Sequence, residues 1–490
     1  MMKKWSKVVA TSLVTVLAVG ALAGCGSLSG DKKAKTTDKG DTPTLLMYQI
    51  GDKPKNYDQL MEIANKRIED KIGAKVNIQY IGWGDYEQKM SVIVSSGENY
   101  DIALAKNYVT NAQKGAYADL TKLLPEKAEA AYKMLDESYI KGNTIDGKMY
   151  AFPVNANIFS QQMLTFNKKF VDKYNLDISK VKTYADVEPL LETIKEKEPK
   201  VMPIAVGQGF RAEAGFDFAL GNGLPFGVDL NGDTKKIINP FEEKGMMTAY
   251  QTLHDFYKAG YIAKDASTSN TEYPLDSSTW FARQETQGPF DYGDTILTQA
   301  AGQELVSKAI SVPLKTTQAA QMASFVVSSG SKNIDKSVEF LGLLNSDPEL
   351  LNGLVLGVEG EAWEKVGDDR SKLLEGYQPN MHMAAWNTAN NKILYADETI
   401  TDKQIEARDK SIEDAIESPI LGFVFNTETV KNEISNLNNV MSQYLDGLNT
   451  GTLDPTVAVP EMNKKLETAG FSKVQKEMQK QYDAFMAEAK

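Results

Sequence analysis

An α/β fold with a largely parallel sheet is predicted from three observations. A seven-residue apolar stretch, TLLMYQI (44–50), is followed by a helical pattern and then by an alternating stretch, VNIQYI (76–81). A second helical pattern leads to a third short apolar run, YDIALA (100–105). Strands alternating with helices imply crossover connections and parallel pairing.

Each element has its own signal. Thr44–Ile50 ends at Gly51, a natural strand stop. Between Tyr57 and Ile72, Leu60, Met61, Ala64, Ile68 and Ile72 share one helical face, and Gly73 is placed to end the helix. Val76, Ile78 and Tyr80 alternate as in a half-buried strand, before GWGDY turns the chain. A helix is expected over Glu87–Ser95. Later helical patterns cover about 165–200, 242–260, 333–355 and 427–450. Asp347-Pro348 reads as N-cap and first helical residue. Thr427 is placed to cap a single helix carrying Val430, Ile434, Leu437, Met441, Tyr444 and Leu448. Ligands of parallel sheets sit beyond the carboxyl ends of strands, so the loops at Gln49–Lys53, Trp83–Tyr86 and Lys106–Thr110 are candidate site loops.

The N-terminus has a different character. Lys3, Lys4 and Lys7 precede an apolar run from Val8 to Ala23, the pattern of a secretory signal over residues 1–24. It ends in Leu22-Ala23-Gly24-Cys25, which resembles the lipobox of bacterial lipoproteins. That resemblance implies cleavage before Cys25 and lipidation of its sulfur and new amine, a multi-chain anchor in the membrane. Cys25 is the only cysteine in 490 residues, so no disulfide within the chain and no cysteine metal site is possible. Residues up to 43 are small, polar and charged, and read as a flexible tether with a reach of roughly 20–25 Å.

Composition narrows the function. A net charge of −12 argues against a broad basic surface for nucleic acid. With two histidines and no free cysteine elsewhere, histidine-rich metal sites and cysteine nucleophiles are excluded. The segment DLNGDTKKIIN (229–239) lacks the acidic spacing and final glutamate of a calcium loop, so no metal is expected there. No cofactor is expected anywhere in the chain.

Over nearly its whole mature length the sequence resembles the extracellular solute-binding lipoproteins of carbohydrate ABC importers (solute-binding family 1, LplA type). TLLMYQIGDKPKNYDQLMEIANKRIEDKIGAKVNIQYIGWGDYEQKM, SSGENYDIALA, DGKMYAFPVNAN (146–157), QMLTFNKKFVDKY (162–174) and WFARQETQGPFDYGD (280–294) carry the resemblance. So do SFVVSSGSKNIDKSVEFLGLLNSDPELLNGL, with Ser337 where the family commonly has alanine, and the C-terminal SPILGFVFNTETVKNEISNLNNVMSQYLDGLNTGTLDP. The resemblance implies a two-lobed periplasmic-binding-protein-like fold with a hinge and a central ligand cleft. Residues 44–154 plus 312–360 are then expected in lobe one. Residues 155–311 plus 361–490 are expected in lobe two, including a C-terminal helical region from about 420. It also implies an oligosaccharide ligand, ABC permease subunits as partners, and a monomer on the outer face of a Gram-positive membrane.

A sugar offers hydroxyls to polar groups and a C–H face to aromatic rings, so aromatics beside polar residues in loops are the candidates for its site. Trp83, with Asp85 and Tyr86, lies in a glycine-flanked turn that presents its ring or covers a strand end. Phe290, Asp291 and Tyr292 follow Gly288-Pro289, where the resemblance implies ligand contact. Trp386 and Asn387 form a stacking and hydrogen-bonding pair or belong to a helix core. Asn107 and Tyr108 follow a strand end. Asn155 and Asn157 lie where the chain leaves the first lobe and either reach the cleft or satisfy turn backbone. Trp280 belongs to cleft or core, and Arg211 is a ligand donor or a surface ion pair. The competing functions are a carboxylate-dependent glycan-processing enzyme, and a solute sensor or adhesin without transport.

Overall fold

A computed structural model of the chain describes residues 42–221, 223–269 and 273–488. Cys25 and the signal and tether segments before residue 42 lie outside the described residues. Among the described residues no helix is long and apolar enough to cross a membrane.

The first sheet grows from the predicted β-α-β-α-β order. Thr44–Ile50 pairs in parallel with Lys75–Ile81 on one side and with Ile102–Leu104 on the other. The helix Tyr57–Ile72 buries Leu60, Met61, Ala64 and Ile68 against this sheet, and Gly73 ends it in the left-handed conformation at φ 62°. The chain then returns: Ser324–Val327 adds antiparallel to Ile102–Leu104, and Ala151–Pro153 pairs beyond it. Helices Ile334–Leu344 and Pro348–Val355 join the same apolar core. Asp347 caps the second of them by accepting from the Leu350 N–H at 3.0 Å.

A second sheet is built on the long strand Phe159–Asn167. Trp280–Gln287 and Leu305–Ala309 pair antiparallel to it, and Met202–Ala205 lies parallel to Trp280–Gln287. Its core collects Leu164, Phe166, Leu191, Ile194, Phe256 and Phe281. The result is a two-lobed α/β architecture with a sheet in each lobe. Three crossings join the lobes: one between Pro153 and Phe159, the second between Lys315 and Ser324, and the third between Asp397 and Ile416.

Two details differ from the sequence reading. The expected lobe boundary at residue 360 assigns 361–400 to lobe two, yet Met383 and Ala389 are buried in the first core. That segment carries the small sheet Trp363–Val366, Arg370–Leu373 and Ala396–Asp397. The helix expected over 427–450 is broken. Thr427 makes no side-chain cap, and helix Lys431–Met441 is followed by a separate helix, Leu445–Asn449. The break has a local cause. Ser442 and the Gln443 side chain both donate to the Asn439 carbonyl, and the Gln443 N–H turns to Val440 O, so the regular ladder stops there.

Candidate functional site

A large opening, about 1320 Å³, lies at the carboxyl ends of Met202–Ala205 and Trp280–Gln287. It exceeds the ~300–1,000 Å³ typical of sites for single small molecules, so it has room for a chain of several sugar-sized rings. Its floor is an amide and hydroxyl lattice. Gln284 Nε2 donates to Gln162 Oε1 at 3.0 Å and to the Arg211 carbonyl at 3.1 Å. Thr286 Oγ1 donates to the same Gln162 oxygen at 3.1 Å. Tyr184 donates its hydroxyl hydrogen to Gln284 Oε1 and accepts from the Glu213 N–H at 2.8 Å. The wall is the loop Gly209–Phe218, which brings Phe210, Phe216 and Phe218 beside Glu213 and Asp217. Aromatic faces next to fixed hydrogen-bonding groups are what a polyhydroxylated ring needs.

Burial pushes the Glu213 and Asp217 carboxyls up from their ordinary values. Each nevertheless has an assigned partner. Glu213 Oε1 accepts from the Gly215 N–H at 2.8 Å, and Asp217 Oδ2 accepts from the Ser418 hydroxyl. A carboxylate whose folded pKa is raised costs stability once pH exceeds its unfolded value, because the folded state then gives up a proton it holds more tightly. Glu213→Gln should therefore raise Tm at pH 7. That advantage should shrink as pH falls below the raised folded value and be gone below about 4, where the unfolded carboxyl also protonates. A pH series of thermal melts checks this; a variant equal to or below the parent at pH 7 contradicts it.

The sequence candidates fall into three groups. Arg211 lines the opening, with Nη1 donating to the Phe210 carbonyl at 2.7 Å and paired with Asp446 Oδ1 at 3.1 Å. A second group gathers on lobe one at the carboxyl ends of the parallel strands. Trp83 and Trp386 stack on each other there, with ring centroids 5.8 Å apart and planes 20° apart. Trp83 is 54% exposed and Trp386 36%. Asp85 and Asn107 are exposed on neighbouring strand-end loops, Asp85 paired with Lys89 and Asn107 donating to Glu87 at 3.4 Å.

The third group is structural. Tyr86 is fully buried and donates to Leu104 O at 2.8 Å, and Tyr108 is buried and donates to Asn143 O at 2.6 Å. Trp280 is 0% exposed, its indole N–H held by Pro274 O at 2.9 Å. Asn155 is buried and donates to Met134 O, and Asn387 is buried with its carbonyl accepting from Gln49 Nε2 at 2.9 Å. Asn157 packs so closely on Gly288 that a Cβ there would sit 2.6 Å from its Oδ1. Phe290, Asp291 and Tyr292 do not line the opening. The Arg408 guanidinium lies 5.2 Å over the Phe290 ring and 5.7 Å over Tyr292, and donates to the Tyr292 hydroxyl at 3.0 Å. Asp291 caps its own loop by accepting from the Gly288 N–H.

Tyr184, Gln162, Glu213, Asp217 and Gln284 were not singled out from sequence. One signal was available. Phe216-Asp217-Phe218 repeats the aromatic-acid-aromatic pattern that drew attention to 290–292, and Gly215 precedes it.

Comparison with known proteins agrees with this layout. Residues 61–354 match the family described as bacterial extracellular solute-binding protein, and residues 419–487 match a domain of unknown function. A carbohydrate ABC transporter substrate-binding protein of Streptococcus pneumoniae serotype 4 is 52% identical over 100% of both chains. Lipoprotein LipO of Bacillus subtilis is 23% identical over 57% of this chain and 53% of its own. The crystal structure of an N-glycan transport solute binding protein from Streptococcus pneumoniae superposes with a TM-score of 0.89 at 53% identity, covering 91% of this chain and 100% of that one. Its complex with Man1GlcNAc gives 0.80 at 52% identity, covering 91% and 100% of the two chains. Its complex with Man5GlcNAc gives 0.77 at 53% identity, covering 91% and 99%.

Proposed function

We propose that this chain, which belongs to the bacterial extracellular solute-binding proteins, captures an oligosaccharide outside the cell and hands it to an ABC importer. The observation that carries the reading is the 1320 Å³ opening floored by Gln162, Gln284 and Tyr184 and walled by phenylalanines and carboxylates. The relative that is 53% identical is described as binding mannose-containing glycans, which supports a glycan of related chemistry here. The Trp83–Trp386 pair supplies the lobe-one contact, and hinge closure brings it onto the bound sugar. At nearly equal identity the likeness falls from 0.89 to 0.80 and 0.77 in the two glycan complexes, which supports a rearrangement on binding.

Capture without chemistry fits the cavity carboxylates. Glu213 and Asp217 are engaged by protein donors, and Glu285 pairs with Arg283. A glycosidase needs one carboxyl free to donate a proton and another to attack or activate water. Lipidation of Cys25 belongs to the same reading. It rests on the Leu22-Ala23-Gly24-Cys25 sequence and is supported by the likeness to a protein named as a lipoprotein. A tether keeps the binder beside its membrane permease.

Thermal shift against mannose- and N-acetylglucosamine-containing glycans tests the proposal. A ligand at 100 times its Kd stabilises by about 2.7 kcal/mol, a readily measured rise in Tm. A rise with recovery of intact glycan is expected. Recovery of cleaved sugar, or a shift with peptides and none with glycans, overturns it.

A further inference from the structure

We infer that the C-terminal region matching a domain of unknown function braces the loop that walls the glycan cavity, with Asp446 and Asn449 as positioning residues that set its shape. The inference rests on the glycan-capture reading and concerns how that capture is made selective. The cavity wall Gly209–Phe218 has little secondary structure of its own, only the short strand Phe216–Phe218 paired with Gly227–Asp229. A loop of this kind holds one shape only if its backbone and side chains are tied from outside.

Tyr184 and Gln284 hold the Glu213 N–H and the Arg211 carbonyl from the floor, and the C-terminal region supplies the ties from behind. The Ala212 N–H donates to Asn449 Oδ1 at 2.8 Å, and Arg211 is paired with Asp446 at 3.1 Å. Ser418, at the region's edge, donates to Asp217. Phe216 and Phe218 pack against a core that merges Phe226, Val228, Met246 and Tyr250 with Leu445, Leu448, Met462, Met478 and Tyr482. Asn449 itself lines the opening.

The positioning residues are themselves held. Asn449 is 2% exposed, and its Nδ2 donates to Leu445 O at 2.8 Å, so its oxygen is the atom left to face Ala212. Gly451, at φ 71°, comes two residues later and lies against helix Lys244–Lys258. A Cβ there would sit 2.2 Å from Leu253 O, so only glycine permits the approach. His254 Nδ1 meets Gly451 O at 2.7 Å, pinning the same junction. The short helix Leu445–Asn449 is thereby seated on the lobe-two helix, and Asp446 and Asn449 present fixed partners to the cavity loop.

Without Asp446, the Arg211 guanidinium loses its neutralising partner and its orientation while remaining in the cavity wall. Asp446 should therefore influence glycan affinity through Arg211, and the two should not act independently. The test is a double-mutant cycle on the full chain, with Kd measured by calorimetry for Man5GlcNAc and a shorter mannose glycan. Asp446→Asn and Arg211→Gln are each expected to weaken binding about tenfold, with the double variant no weaker than either single. Tm should stay within a few degrees, because the pair is partly exposed and such pairs add little stability. Unchanged affinity in Asp446→Asn, or additive losses in the double variant, overturns the assignment. If the parent protein binds no glycan, it is the capture reading that fails.

Discussion

Trp83→Ala is expected to weaken glycan binding by roughly 10- to 100-fold while leaving Tm within a few degrees. The described tryptophans fall into two pairs with different surroundings. Trp280 and Trp363 are buried, and each spends its indole N–H on a backbone carbonyl, Pro274 O and Gly357 O respectively. Trp83 and Trp386 do neither. They stand at the protein surface, stacked on each other, and neither indole N–H has a hydrogen-bond partner among the described residues. Leaving two large apolar rings in water forgoes about 25 cal/mol per Å² of stabilisation, a cost that a ligand recovers when it covers them. The ring of Trp83 rests over Gly51, 3.6 Å from where a Cβ would be, so the platform is backed by the first strand's end. Each aromatic anchor of this kind is worth about 1–3 kcal/mol at a recognition surface, hence the predicted range. Trp386→Ala should behave alike, and the double variant should lose less than the sum, since the rings are in contact. Calorimetry with a long and a short glycan reads this directly. Unchanged Kd for both glycans removes the pair from the site.

That pair also shows what the sequence could and could not convey. GWGDY marked Trp83 because glycines on both sides suit an exposed turn. Trp386 lay in an aperiodic stretch that gave no direction, and only the fold brings the two rings into contact across some 300 residues. The first sheet was legible because strong period-2 and period-3.6 patterns alternate there, and the helix Tyr57–Ile72 falls where its apolar face demands. The cavity was harder to find. Gln162 and Gln284 are ordinary glutamines on strands; pairing Thr286 with Gln162 and Gln284 with Leu164 makes them a floor. Tyr184 gains its role from a hydrogen bond to a residue a hundred positions away. Phe290-Asp291-Tyr292 and Phe216-Asp217-Phe218 carry the same local signal. Arg408, supplied by the distant helix Asp402–Asp414, turns the first against protein, while the C-terminal core leaves the second facing the opening. Local pattern names the chemistry a loop can perform. Long-range packing decides whether it meets solvent, ligand or another part of the chain.

Lys315→Met should destabilise the fold by about 3 kcal/mol and change its response to acid. Lys315 sits on the second crossing between the lobes, in the short strand Leu314–Lys315, which pairs with Phe159–Asn167 and with Ile416–Glu417. Its side chain is only 8% exposed, and Nζ lies 2.9 Å from Asp136 Oδ2. Asp136 begins the lobe-one helix Glu137–Asn143 and caps it by accepting from the Ser138 N–H at 2.9 Å. Burial alone would raise the Asp136 carboxyl, yet Lys315 and Ser138 together hold it below its ordinary value. Such a carboxylate adds stability above its unfolded pKa, and the contribution is lost as pH falls through the lower folded pKa. Removing the ammonium leaves a half-buried carboxylate with one helix cap and no directly paired cation. Breaking one side of a buried pair costs about 3–5 kcal/mol, and the partial exposure of Asp136 favours the lower end. Urea titrations at pH 7 and pH 4 separate the causes. Loss of the ion pair predicts a large deficit at pH 7 that narrows at pH 4, where Asp136 in the variant takes up a proton. A deficit equal at both values would assign the loss to packing of the lysine stem instead. Adding Asp136→Asn to Lys315→Met should recover part of the stability at pH 7, because the neutral amide retains an oxygen for the Ser138 N–H and no longer needs a cation. Through this pair the crossing strand is bound to the N-terminal cap of the lobe-one helix Glu137–Asn143.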